Sequence, residues 1–277
     1  MTSYIKFIDD NLVGQMGLSR YLDPKSGWLR DLIDYNIGIY TDQKCFNSEI
    51  DPDKENYAWI IEPPIINGDN HINITKPEHY LKFKKVFSYN RWIGDRIPNF
   101  EFVAHGGTWL REEDIGIHNK TLFCSMIFSD KSWNAGHLQR TRVYNLIRNN
   151  AYIDFYGSGV NKFIEYKITG LKNYMFSICM ENEGPQHLFA TNTDYFSEKI
   201  LDCFLTGTIP IYYGNKSIEN YFNMEGTLWF DDPDKINKII SQITPEYYQL
   251  KSHIILENFN IAKKYIHPEL LINQYVQ

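Results

Sequence analysis

Residues Asn173 to Gly214 read NYMFSICMENEGPQHLFATNTDYFSEKILDCFLTGTIPIYYG, and the order of signals within them decides the fold. Tyr174 to Met180 is a short apolar run with aromatic and β-branched members, the pattern of a buried strand. Glu181 and Asn182 stand at its carboxyl end, followed by a polar loop over Glu183 to Thr193. Ser197 has the chemistry of an N-cap, and Ile200, Leu201, Phe204 and Leu205 recur at helical spacing until Gly207 stops the helix. Ile209 to Tyr213 supplies the next strand, with Pro210 near its start, where a missing N–H is tolerated. The stretch is one βαβ unit whose polar residues cluster between strand end and helix start. In open α/β sheets that crevice is where ligands bind.

Lys199 falls in the first turn of this helix, where the macrodipole is already positive. An exposed cation there is disfavoured by roughly 0.3–1 kcal/mol. The placement becomes favourable when an anion docks against the helix N-terminus and the ammonium together, as phosphates do. For a lysine taken singly, the alternative is a solvated side chain offset by Glu198.

Arg140 and Arg142 lie on a helix predicted to begin near Gly136, within RTRVYNLI. A planar, permanently charged fork suits a diphosphate better than lysine alone, although a solvated helix face is the commoner fate of arginine. Glu62, in YAWIIEPPII, follows an apolar strand and precedes Pro63-Pro64, so it stands at a strand's carboxyl end. That position faces it toward the cleft; the alternative is a loop carboxylate capping nearby backbone.

Aromatic-x-Phe, Glu-Asn, a loop, Asp-Tyr-x-Ser-Glu-Lys, a helix, Gly-Thr-x-Pro and Gly follow one another in a fixed order. They are carried by Tyr174, Phe176, Glu181, Asn182, Asp194, Tyr195, Ser197, Glu198, Lys199, Gly207, Thr208, Pro210 and Gly214. This order resembles the donor-binding motif of the α-1,3-fucosyltransferases, glycosyltransferase family ten. RTRVYNLI (Arg140 to Ile147) and IDFYGSG (Ile153 to Gly159) resemble the same family in order and spacing. The likeness covers residues 121 to about 232 and is reduced to fragments before residue 119.

The resemblance implies a GT-B-like α/β fold, with two Rossmann-like domains facing across a cleft. It implies that Arg140 contacts the donor diphosphate, with Arg142 the arginine that would serve instead. Asn182 and Tyr195 would contact the nucleotide, and Glu198 the ribose or the sugar. Glu181 would position a partner such as Arg140, and Ser197 would support the helix start. Glu62 matches the family's proposed catalytic base. Two or three cationic groups would make a protein-held metal unnecessary.

A chain of 277 residues allows one large domain or two of ordinary size, and 43% apolar content supplies ample core. Twenty tyrosines and 17 phenylalanines suit a sugar-like ligand as well as ordinary cores. A net charge of -6 and a pI near 5.8 argue against a general nucleic-acid or membrane-surface binder. Cys45, Cys124, Cys179 and Cys203 show no C-x-x-C spacing and read as buried free thiols of a reducing compartment. No signal peptide is recognised in MTSYIKFIDD, and no apolar run reaches bilayer length, so the expectation is a soluble, cytoplasmic protein.

Residues 1–118 alternate strand signals (Tyr4 to Ile8, Ile37 to Tyr40, Ala58 to Ile61, Val86 to Ser88, Phe100 to Ala104) with helical ones. The helical signals are Trp28, Leu29, Leu32 and Ile33 on one face, and Pro77 to Phe83. IGIHNK (Ile115 to Lys120) offers a linker, so the expected division is an acceptor-side domain over 1–118 and a donor domain over 119–277. In the latter, strand 121–128, helix 136–148, strand 151–156 and a helix near 160–169 precede the opening unit. Strand 227–230 and helices over 234–276 follow. His105-Gly106-Gly107 makes a turn at the cleft edge. Asp51-Pro52-Asp53 and Asp232-Pro233-Asp234 spell D-x-D, but their prolines mark them as turns or helix caps.

The expected function is inverting transfer of a sugar, L-fucose from GDP-fucose, onto a hydroxyl of a glycan acceptor. The alternatives are the same fold using a different nucleotide sugar, or a catalytically silent glycan- or nucleotide-binding module.

Overall fold

The computed structural model describes residues 4–9, 16–185 and 193–276. Two parallel sheets form two lobes. The first contains β1 (Ile5–Ile8), β2 (Trp28–Leu29), β3 (Ile37–Thr41), β4 (Glu55–Ile60), β5 (Lys85–Ser88) and β6 (Phe100–Phe102), in the order β2-β1-β3-β4-β5-β6. The second contains β7 (Leu122–Ile127), β8 (Ile153–Tyr156), β9 (Tyr174–Met180), β10 (Ile209–Tyr213) and β11 (Leu228–Trp229), in the order β11-β10-β9-β7-β8. The central strands are near-continuous apolar runs because helices cover both faces of a parallel sheet.

Helices α1 (Lys44–Asn47), α2 (Pro64–Asn73), α3 (Pro77–Tyr80) and α4 (Arg91–Gly94) belong to the first lobe. In the second, α5 (Ala135–Ile147) connects β7 to β8 and α6 (Glu198–Phe204) connects β9 to β10. Gly207, at φ +70, ends the α6 connection. Helices α7 (Ile236–Gln242), α8 (Pro245–Leu250) and α9 (Ser252–Ala262) follow β11, and α10 (Glu269–Asn273) closes the chain.

That last helix returns to the first lobe. Ile272 and Val276 are buried among Phe7, Trp28 and Trp59, and the Trp28 indole N–H donates to Asn273 Oδ1 at 3.0 Å. Direct contacts also join the lobes: Gly107 N–H donates to the Tyr265 carbonyl at 2.8 Å, and Thr108 Oγ1 donates to Asp202.

Two expectations fail. Trp28, Leu29, Leu32 and Ile33 do not form a helix; Gly27, at φ +72, turns the chain so that Trp28 enters the sheet edge, while Ile33 is 91% exposed. No α-helix occupies 160–169 either. Gly157 (φ +102) and Asn161 (φ +53) adopt positive-φ conformations that interrupt helical geometry, leaving short 3-10 turns at Ser158–Val160 and Lys167–Gly170. The middle of the polar loop expected over Glu183 to Thr193 falls on 186–192, outside the described residues.

Candidate active site

The carboxyl ends of both sheets face one cavity of about 570 Å³. In the second lobe it opens where the strand order reverses, between β7 and β9, the switch point at which parallel sheets bind ligands. Glu62 lines it from the first lobe; Arg140, Asn182, Tyr195, Glu198 and Lys199 line it from the second. Arg142, Glu181 and Ser197 do not.

Arg140 reaches the cavity because Gly136, Arg140, Val143 and Ile147 form the buried stripe of α5. Its guanidinium donates to Asn182 Oδ1 at 2.9 Å and to the Met180 carbonyl at 3.4 Å. Among the described residues it has no carboxylate within ion-pair distance. Burial lowers its pKa from the ordinary arginine value, yet the group stays charged. Arg142, two residues on, falls on the solvent face and pairs with Asp234.

Ser197 caps α6, its hydroxyl accepting from Lys199 N–H at 3.3 Å. Glu181, 0% exposed, accepts from Ser197 N–H at 2.9 Å, Ser197 Oγ at 2.7 Å and Lys199 Nζ at 3.2 Å. Glu181 is expected to position a partner such as Arg140; the partner it touches is Lys199, while its charge also bears on Arg140. An internal carboxylate satisfies the start of α6, and Asn182 with the Met180 carbonyl holds the arginine instead. Burial opposes the charge on Lys199, but Glu181 and Glu198 hold its ammonium above the usual lysine range. Burial likewise opposes ionisation of Glu198, but Lys199 and Lys167 hold its carboxyl down to about 2.

Across the cavity, burial and the nearby Asp42 carboxylate push Glu62 up to about 7, with Lys199 pulling the other way. A carboxyl poised there can take a proton near neutral pH. Tyr195 packs against both Tyr89 and His105, its ring centroid 5.2 Å and 5.4 Å from theirs.

Several wall residues escaped the sequence reading: Lys131, Trp133, His137 and Lys167. Lys167 pairs with buried Asp202 at 2.7 Å. Burial, with Arg140 and Lys131 nearby, pushes His137 down to about 4, so its ring is neutral. Position just beyond a parallel strand, on either side of the switch point, is the signal that would have flagged the loop that precedes α5. Asp51 and Asp232 each accept from the backbone two residues on, at 3.0 Å, so both D-x-D sequences are turns. All four cysteines are buried and unpaired by disulfides. Among the described residues no helix is long and apolar enough to cross a membrane.

A family model described as "Glycosyltransferase family 10 (fucosyltransferase) C-term" matches residues 117–265, more than half of the chain. The chain belongs to glycosyltransferase family 10. The fucosyltransferase 9 of Bos taurus (4-galactosyl-N-acetylglucosaminide 3-alpha-L-fucosyltransferase 9) is 24% identical over 186 residues, covering 62% of this family 10 chain and 48% of its own length. The alpha-(1,3)-fucosyltransferase FucT of Helicobacter pylori is 29% identical over 91 residues, 31% of this chain and 18% of its own. The chain thus spans less than half the length of these sequence relatives.

Among solved structures, an alpha1,3-fucosyltransferase with GDP superposes at a TM-score of 0.55 and 14% identity, over 99% of this chain and 91% of that one. Anabaena HepE, in complex with UDP and glucose, also gives 0.55, at 10% identity over 87% and 76%. The two parallel-sheet lobes are of the GT-B type in both comparisons. Equal scores for a GDP complex and a UDP complex show that the fold does not select the base.

Proposed function

We propose that this family 10 chain is an inverting glycosyltransferase that moves L-fucose from GDP-fucose to a hydroxyl of a glycan. One observation carries the reading: Glu62 from one lobe and Arg140 and Lys199 from the other line a single cavity.

In the proposed step, Glu62 takes the acceptor hydroxyl proton as that oxygen bonds to the anomeric carbon. The bond from that carbon to the diphosphate oxygen breaks, and its electron pair leaves with GDP. Attack from the face opposite the leaving group inverts the anomeric centre. Arg140 is the main diphosphate anchor, because among the described residues its fork has no carboxylate within ion-pair distance while Lys199 is shared by Glu181 and Glu198. Lys199 adds charge at the leaving oxygen as the bond breaks. Asn182 acts through Arg140. Glu198, ionised at the cavity wall, accepts from ribose or sugar hydroxyls.

The test is Glu62→Gln, assayed for transfer and for nucleotide binding. General-base catalysis predicts a loss of about 10²–10⁴ in kcat with GDP binding retained. An unchanged rate removes Glu62 from the mechanism. In thermal unfolding, GDP at about a hundred times its Kd should add roughly 2.7 kcal/mol, and UDP should add nothing. Stabilisation by UDP alone would overturn the donor assignment.

A further inference from the structure

We infer that Asp42 and His71 are positioning residues that grip the Glu62 peptide from both sides and thereby set where its carboxylate meets the acceptor. The inference rests on the reading of Glu62 as the base.

Asp42 follows β3 and has φ +42, the left-handed region that non-glycine residues rarely occupy. That turn folds its carboxylate back over the end of β4, where Oδ1 accepts from Ile61 N–H at 2.9 Å and Glu62 N–H at 3.1 Å. On the other side, His71 of α2 stands 2.8 Å from the Glu62 carbonyl through Nε2, and 2.8 Å from the Asn90 side-chain nitrogen through Nδ1. An amide nitrogen only donates, so Nδ1 is the acceptor and Nε2 carries the hydrogen that is given to Glu62. Burial, opposed by the bond to the Glu62 carbonyl, pushes the His71 pKa down to about 4, which agrees with a neutral ring of this one tautomer.

Both the N–H and the C=O of Glu62 are therefore committed, and Pro63 follows directly. Only side-chain torsions remain to move the carboxylate. Asp42, His71 and Asn90 are all buried, and an unmade bond to any of them would leave a buried polar group unsatisfied. The chain of contacts also reaches the donor lobe. Asn90 bridges Thr193, Asp194 N–H donates to the Tyr89 carbonyl at 3.3 Å, and Tyr195 follows in the cavity wall. The hold on the base is thus stitched to the segment that leads into Glu198 and Lys199. The charged groups bearing on Glu62 are Asp42, Lys199, Glu198 and Lys131.

The experiment compares Asp42→Asn, Asp42→Ala, His71→Gln and His71→Leu with Glu62→Gln, each assayed for kcat, donor KM and pH dependence. Asparagine keeps an acceptor oxygen at position 42 but removes the charge. The acid limb of kcat should therefore move to lower pH by about half a unit or more, with donor KM within about twofold. His71→Leu should lower kcat by about tenfold or more at unchanged donor KM, and glutamine, which keeps a donor near Nε2, should restore it to within about threefold. Asp42→Ala, which removes the acceptor as well, should lower kcat by about tenfold or more at unchanged donor KM; a folded, GDP-binding Asp42→Ala with wild-type kcat overturns the inference even where His71→Leu does not fold. So does a folded, GDP-binding His71→Leu with wild-type kcat. Either result beside an inactive Glu62→Gln leaves the base assignment standing; a fully active Glu62→Gln overturns that assignment and this inference with it.

Discussion

Lys199 Nζ lies 3.2 Å from Glu181 Oε2, tying the first turn of α6 to the end of β9. The contact means that the ammonium facing the cavity is also the partner of a carboxylate that has no access to water. Removing the lysine leaves that carboxylate with its Ser197 bonds but without its paired cation, and breaking a buried pair costs about 3–5 kcal/mol. Lys199→Ala should accordingly lose stability as well as transfer. The double variant Glu181→Gln/Lys199→Met should regain most of the stability in denaturant unfolding without regaining transfer. Recovery of both would mean that Lys199 acts only as a structural cation.

Arg140 and Arg142 should separate cleanly. Arg140→Lys keeps the charge but loses the fork, and one charge-assisted bond worth roughly 1.5 kcal/mol corresponds to a GDP Kd about tenfold higher. Arg142 is half exposed and pairs with an exposed carboxylate, so Arg142→Ala should change stability by less than about 0.5 kcal/mol and leave GDP titrations untouched.

Glu62 predicts opposite pH trends for activity and stability. Its carboxylate form rises as pH passes about 7, so kcat/KM, which reports the free enzyme, should increase roughly tenfold per pH unit below 7 and level off above it. A carboxyl raised from 4.5 to about 7 by folding contributes stability that is fully present below pH 4.5 and is lost as pH climbs through 7. Glu62→Gln should therefore match the wild type near pH 4 and exceed it near pH 8 by up to roughly 3 kcal/mol. Paired unfolding curves at the two pH values read this directly.

Gly136 sits in the first turn of α5, where an added Cβ would stand 2.1 Å from the Asn182 carbonyl oxygen. Backbone cannot step aside there without moving Asn182 away from Arg140. Gly136→Ala should cost about 1–3 kcal/mol and weaken GDP binding in the same variant, although it touches no ligand. Calorimetry of unfolding and of GDP binding tests the two effects together.

Much of the second lobe was readable locally. The β9 and β10 strands, the Ser197 cap and the Gly207 stop follow from side-chain periodicity and capping chemistry. The choice between Arg140 and Arg142 was also present in the chain, since Gly136, Arg140, Val143 and Ile147 share a face at helical spacing. The first lobe was harder. Its short helices and turns carry weak periodicity, and Trp28, Leu29, Leu32 and Ile33 mimic a helical stripe until Gly27 redirects the backbone.

The sequence by itself determined the alternation of strands and helices, the family, and a set of polar residues at strand ends. Those are local properties, written in the spacing of neighbours. Only the tertiary structure decided which polar groups meet: Glu181 with Lys199, Asn182 with Arg140, Asp42 and His71 on the Glu62 peptide. These partners sit on different elements, and their pairing depends on how two sheets and their crossovers pack, a distance that no run of consecutive residues encodes.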